Sequence, residues 1–203
     1  VAVLGACVLL AACGVGPDRV AIQSIRTSSQ DAGGSLVHRP TIVAYRSDDR
    51  MHAEILATDL PIESLDTAVG FEGLTGQITR IRLFAVPIAG KTSLSSQAGN
   101  TIIQHAVIND GLLAVYSGSG LFRPGDRPGA DPLAGTLRGG TMRLTRASAG
   151  LVDPIGTASI GLSLTADLNA PLAALVAARL DQIIERTESV LPQASEVEPE
   201  PRP

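Results

Sequence analysis

Between Thr41 and Thr165 the apolar residues fall in short alternating runs separated by polar turns. Alternation puts successive side chains on opposite faces of an extended backbone, so this region can cover one face of a sheet but cannot form a helical stripe. Thr41-Ile42-Val43-Ala44-Tyr45 leads through Ser47-Asp48-Asp49-Arg50 into His52-Ala53-Glu54-Ile55-Leu56, a hairpin signature. Ala68–Leu74 and Gln77–Val86 predict a second pair around Thr75-Gly76. In the latter, Thr79, Ile81, Leu83 and Ala85 share one face, and Ile78, Arg80, Arg82 and Phe84 the other, as in a half-exposed strand. Thr101–Ile108, the turn Asn109-Asp110-Gly111 and Leu112–Ser117 form the clearest hairpin, because Asn and Asp tolerate positive φ and Gly adopts it freely. Thr141–Thr145 and Thr157–Thr165 add two strands, while Pro87–Asn100 and Arg123–Gly135 read as loops. The Gly-rich run Ser117–Leu121 predicts a bulge or a close backbone approach, and an edge to which a partner strand could add.

The period then changes. Asn169 suits a helix N-cap and Pro171 the first turn, where a missing N–H costs nothing. Leu172, Leu175, Val176, Leu180, Ile183, Ile184 and Leu191 follow at helical spacing, with Arg179, Asp181, Glu185, Arg186 and Glu188 on the wet side. The expected fold class is therefore α+β: an antiparallel β-sheet of hairpins packed by a C-terminal amphipathic helix, in one globular domain over residues 40–191. Residues 192–203 are rich in Pro and Glu and too poor in apolar side chains to fold. Residues 13–39 read as a tether, in which Val20, Ile22 and Ile25 fit either a short strand or a helical turn.

Val1 to Cys13 is apolar and uncharged, yet shorter than the roughly 20 residues a spanning helix needs. It matches the apolar stretch of a secretory signal, and the cationic stretch that precedes such a segment is expected upstream of Val1. Leu10-Ala11-Ala12-Cys13, followed by Gly14, resembles the lipobox of bacterial lipoproteins. The resemblance covers this segment only. It implies removal of residues 1–12, attachment of diacylglycerol to the Cys13 thiol, and a membrane anchor through that covalent lipid. Two or three acyl chains suffice for stable anchoring, since each buried CH₂ contributes about 0.8 kcal/mol. Gly14 stands where Asp would retain a lipoprotein in the inner membrane, which implies the periplasmic side of the outer membrane of a Gram-negative cell. Cys7 lies in the removed segment, so the mature chain would hold one lipid-blocked Cys and neither a disulfide framework nor a Cys-based metal site.

Composition narrows the function. Of the 203 residues 2% are aromatic, and the formal net charge is −4. Base-stacking platforms and basic nucleic-acid footprints are therefore excluded, as are the aromatic girdles of a transmembrane barrel. Gly90-Lys91-Thr92 ends like a P-loop but has Ala85 where the first Gly belongs. His38, His52 and His105 lack zinc-site spacing; His52 and Glu54 would share one strand face, which suits an exposed polar surface. Ser117-Gly118-Ser119-Gly120 has the wrong spacing for a nucleophile elbow, and Asp48 with Asp49 reads as turn chemistry. Arg138, Arg143 and Arg146 form a mild basic patch suited to solvent. No residue is assigned a catalytic, cofactor-binding or metal-ligating role, and Cys13 is the one assigned site.

The expected function is a non-enzymatic accessory or assembly component of the cell envelope, with an envelope protein as partner. The alternative is a lipoprotein that binds a lipid or a small apolar ligand, and a hydrolase with dispersed residues ranks third. Metabolic labelling with a fatty acid checks the anchor: the chain should take up label, and Cys13→Ser should take up none.

Overall fold

The structure, a computed structural model, describes residues 18–24, 34–86, 99–151, 153 and 155–190. The elements in order are β1 (Arg19–Ser24), β2 (Ser35–His38), β3 (Ile42–Arg46), β4 (Ala53–Thr58), a 3₁₀ turn (Ile62–Leu65), β5 (Thr75–Leu83), β6 (Thr101–Asn109), β7 (Leu112–Pro124), β8 (Leu133–Ala147), β9 (Ala158–Leu168), α1 (Ala170–Arg186) and β10 (Glu188–Ser189). The α+β class stands, with hairpins β3–β4 and β6–β7 as the turn residues specify. Asp110 and Gly111 carry the positive φ values, 49° and 81°, that a tight hairpin turn requires.

The sheet is closed. Its strand order is β10-β8-β7-β6-β5-β4-β3-β9-β1-β2, and β8 also pairs with β9, so the strands from β3 to β9 form a ring. The seam between β3 and β9 is parallel and short, Ala44 opposite Asp167 and Tyr45 opposite Leu168. Along the rest of that β9 edge runs β1, from Arg19 opposite Ser163 to Ser24 opposite Ala158, with β2 paired to β1 beyond it. The folded region thus starts before residue 40: parts of the expected tether are wall strands, and Val20 and Ile22 belong to the core. Residues 68–74, expected as a strand, instead make turns, with Val69 N–H bonded to Asp66 O and Leu74 N–H to Phe71 O.

Every ring strand sends alternate side chains inward. Along β9, Ala158, Ile160, Leu162, Leu164 and Ala166 are buried, while the residues between them are half-buried. Ile55, Ile81, Ile103 and Leu137 from other strands join the same cluster. Arg82, Arg138 and Arg143 point out to solvent. A largely apolar interior with arginines on the outer face reverses the pattern of a bilayer-spanning barrel.

A second core lies outside the ring, under α1. Asn169 caps the helix, its Oδ1 accepting from Leu172 N–H at 3.1 Å. Ala173, Val176, Ala177, Leu180 and Ile183 pack on Ala44, Leu56, Ile78 and Ala106 of the wall. Burying each Leu or Ile of this layer contributes about 1.5–3 kcal/mol. Two arginines expected at the surface close it. Arg80 donates to Asp181 Oδ1 at 2.8 Å and to Ala177 O at 3.1 Å, tying barrel to helix. Arg179 is fully buried, sits 4.0 Å over the Phe71 ring, and donates to Val69 O and Gly70 O. Leu175, expected in the apolar stripe, is 36% exposed.

The run 117–121 is a bulge, as the sequence predicts, with a register shift between Ser119 and Leu121. It is not a free edge: Gly118 pairs with Ile103 of β6 and with Met142 of β8. A Cβ on Gly118 would lie 1.9 Å from Thr141 O, so the two backbones approach more closely than any side chain allows. Gly118→Ala should therefore lower the denaturation midpoint by an amount equivalent to about 1–3 kcal/mol. An Ala variant as stable as the wild type would contradict this packing.

Candidate functional site

Interior-facing residues fill most of the barrel, and the fill changes character toward the end formed by the β6–β7 turn and the β8–β9 loop. There a cavity of about 410 Å³ is walled by Leu36 of β2, Val107 of β6, Ala114 and Tyr116 of β7, and Leu151 and Ile155 of the loop. That volume falls in the range of small-molecule sites, about 300–1,000 Å³. The walls are mostly apolar, with Ser35, Asn109 and Tyr116 among them. The polar atoms are placed by particular bonds: Tyr116 hydroxyl donates to Asp153 Oδ1 at 2.9 Å, and the same oxygen accepts the N–H groups of Ile155 and Gly156. Asp153 thereby clasps the loop to the barrel wall. Burial and the neighbouring Asp153 carboxylate push the Tyr116 phenol above its ordinary pKa, which keeps it a hydrogen-bond donor.

One layer deeper the interior becomes polar. His38 lies two residues beyond Leu36 on β2, and His105 two residues before Val107 on β6, so each pair shares a face. His105 is also directly opposite Tyr116 and Thr79. Thr79 Oγ1 lies 3.1 Å from His38 Nδ1 and 2.9 Å from His105 Nδ1, bridging the two rings. All three side chains are fully buried. The Nε2 atoms of both histidines and Oε1 of Gln77, which stands opposite Val107, are buried without a partner among the described residues. Each such atom costs about 1–3 kcal/mol if nothing satisfies it. This is the densest group of unpartnered buried polar atoms among the described residues, in a barrel whose core is otherwise largely apolar.

Burial sets the protonation of the pair. Desolvation, reinforced by the other imidazole, lowers His105 to about 3. His38 is also lowered by burial, partly opposed by Asp59. Both are neutral at neutral pH.

The remaining sequence candidates do not converge. His52 lies in the β3–β4 turn, its Nδ1 2.7 Å from Asp49 Oδ2, and so does not pair with Glu54. Glu54 instead sits between Arg46 and Arg82, accepting from their Nε atoms at 2.6 and 3.0 Å. Burial pushes its carboxyl up, and the arginine bonds outweigh that and hold it below the usual carboxylate range. This ladder borders a groove of about 510 Å³ with Phe84 and Ile102, where the one Glu54 carboxylate pairs with both Arg46 and Arg82. Arg146 is drawn out of the expected basic patch, donating to Thr187 O at 2.6 Å, while Arg138 and Arg143 are exposed. Cys7, Cys13 and Gly90-Lys91-Thr92 lie outside the described residues.

Sequence alone does not bring the two histidines together, because 41 residues separate His38 from Thr79 and 26 separate Thr79 from His105. The available signal was His105 and Thr79 on the apolar faces of their strands. A scan against protein-family models and searches of curated proteins and of solved structures return no match.

The buried histidines give a signed pH dependence. The unfolded chain takes up these protons below about pH 6.5 while the folded chain refuses them, so stability present above that pH is lost as pH falls. For His105 the loss continues down to about 3. Each proton contributes a slope of about 1.4 kcal/mol per pH unit. Denaturant unfolding of His105→Gln between about pH 6 and pH 4 should show the wild-type slope reduced by about one proton. Identical slopes would place His105 in water.

Proposed function

We propose that this chain is a non-enzymatic envelope lipoprotein, held through Cys13 to the periplasmic side of the outer membrane, whose barrel binds a small apolar ligand at its mouth. One observation carries the ligand reading: the mostly apolar cavity walled by Leu36, Val107, Ala114 and Ile155 at the mouth of a barrel packed with apolar side chains. Tight packing is the rule in protein interiors, and a concave, mostly apolar hollow of this size is favourable to an apolar guest. The accessory role expected first from the sequence rests on the anchor and on the lack of a catalytic motif. The strand edge that could have served a partner, at residues 117–121, is occupied within the barrel on both sides. Ligand binding therefore has the stronger support, and an accessory role is compatible with it.

Native mass spectrometry of the full chain, purified from a bacterial host, tests the reading. The expected result is a bound mass beyond the polypeptide and its acyl chains, recoverable in organic solvent. Ala114→Phe, which fills the cavity from the barrel side, should abolish that mass and leave the fold unchanged by circular dichroism. A bare polypeptide in the wild type would overturn the ligand reading.

A further inference from the structure

The geometry points to a ligand that carries a single terminal hydroxyl or un-ionised carboxyl group on an aliphatic chain, bound with that group inward against His38 and His105. This inference rests on the ligand reading and adds the chemistry of the occupant. A purely apolar guest would be served by the cavity walls alone. It would leave the polar layer beneath them unsatisfied.

The hydrogen-bonding capacity of that layer follows from Thr79. A hydroxyl holds one proton, so with both rings neutral it donates to one Nδ1 and accepts the Nδ1–H of the other. One ring then has a bare Nε2 and the other an Nε2–H. The layer offers one acceptor and one donor from the histidines, with Gln77 Oε1 as a second acceptor, and none has a partner among the described residues. A hydroxyl or a carboxylic acid both donates and accepts, and so answers both rings at once. An ammonium has no acceptor, and an ionised carboxylate has no donor and would bring an uncompensated charge into a neutral interior. Depth agrees: Leu36 and Val107 of the cavity wall are each two residues from a histidine on the same strand and the same face. In the proposed pose the aliphatic chain lies along that wall; the histidines do not line the cavity, and the head group reaches them one layer beneath it. Tyr116, opposite His105 and tethered to Asp153, borders both layers.

The experiment titrates the full chain with decanol and with decane, following displacement of a fluorescent apolar probe and the imidazole ring-nitrogen NMR shifts. Before addition, the spectrum should show one His38 or His105 ring with the proton on Nδ1 and the other with it on Nε2. Decanol should displace the probe at a concentration about tenfold lower than decane, the gain expected of one or two added hydrogen bonds, and should shift both Nε2 signals. Decane should displace the probe without moving them. Equal displacement by the two, or decanol binding that leaves the ring nitrogens unmoved, would overturn this inference and leave the apolar-ligand reading intact. Failure of both compounds to displace the probe, or to bind at all, would overturn both.

Discussion

Pairing of β8 with both β7 and β9 is the constraint on which the remaining architecture depends. Successive residues of a strand point alternately into and out of the ring, so closure divides the side chains into a largely apolar filling and an outer face. It also leaves ring edges only at the ends of strands. The short parallel contact of β3 with β9 completes the ring, and β1 with β2 lines the remainder of that seam. Without the β8–β9 pairing, Leu137, Ile160 and Leu162 would face solvent, and the cavity at the mouth would have no opposite wall.

Much of this was legible locally. The hairpins at 42–58 and 101–117 are written in turn chemistry, and α1 in the Asn169 cap and its apolar period. Closure was not, because it depends on register between segments whose alternation looks the same in an open sheet. Residues 68–74 show why alternation alone misleads. Val69, Phe71 and Leu74 mimic a strand, yet Phe71 is spent beneath Arg179 and Arg186, and the backbone turns to place it there. Arg179 misled in the opposite direction: a cation at a wet helical position is buried because two backbone carbonyls and an aromatic face receive it.

The candidate site was less legible than the fold. Leu36 and His38 lie in a segment that reads as tether, and residues 150–155 fall between the two predicted strands at 141–145 and 157–165, so half the cavity wall has no periodic signal. The polar layer comes from three strands distant in sequence. Its residues announce themselves only by type, as histidine and threonine on inward faces where an aliphatic side chain would pack.

The Thr79 bridge has a further property. Rotating its hydroxyl, while each imidazole changes tautomer, exchanges donor for acceptor across the pair without moving a single heavy atom. The two arrangements are mirror images in polarity. On the proposed reading, a guest's head group would meet a matching donor and acceptor from the two rings in either rotational sense, so the pair would select for what a group can exchange and be indifferent to which way round it arrives.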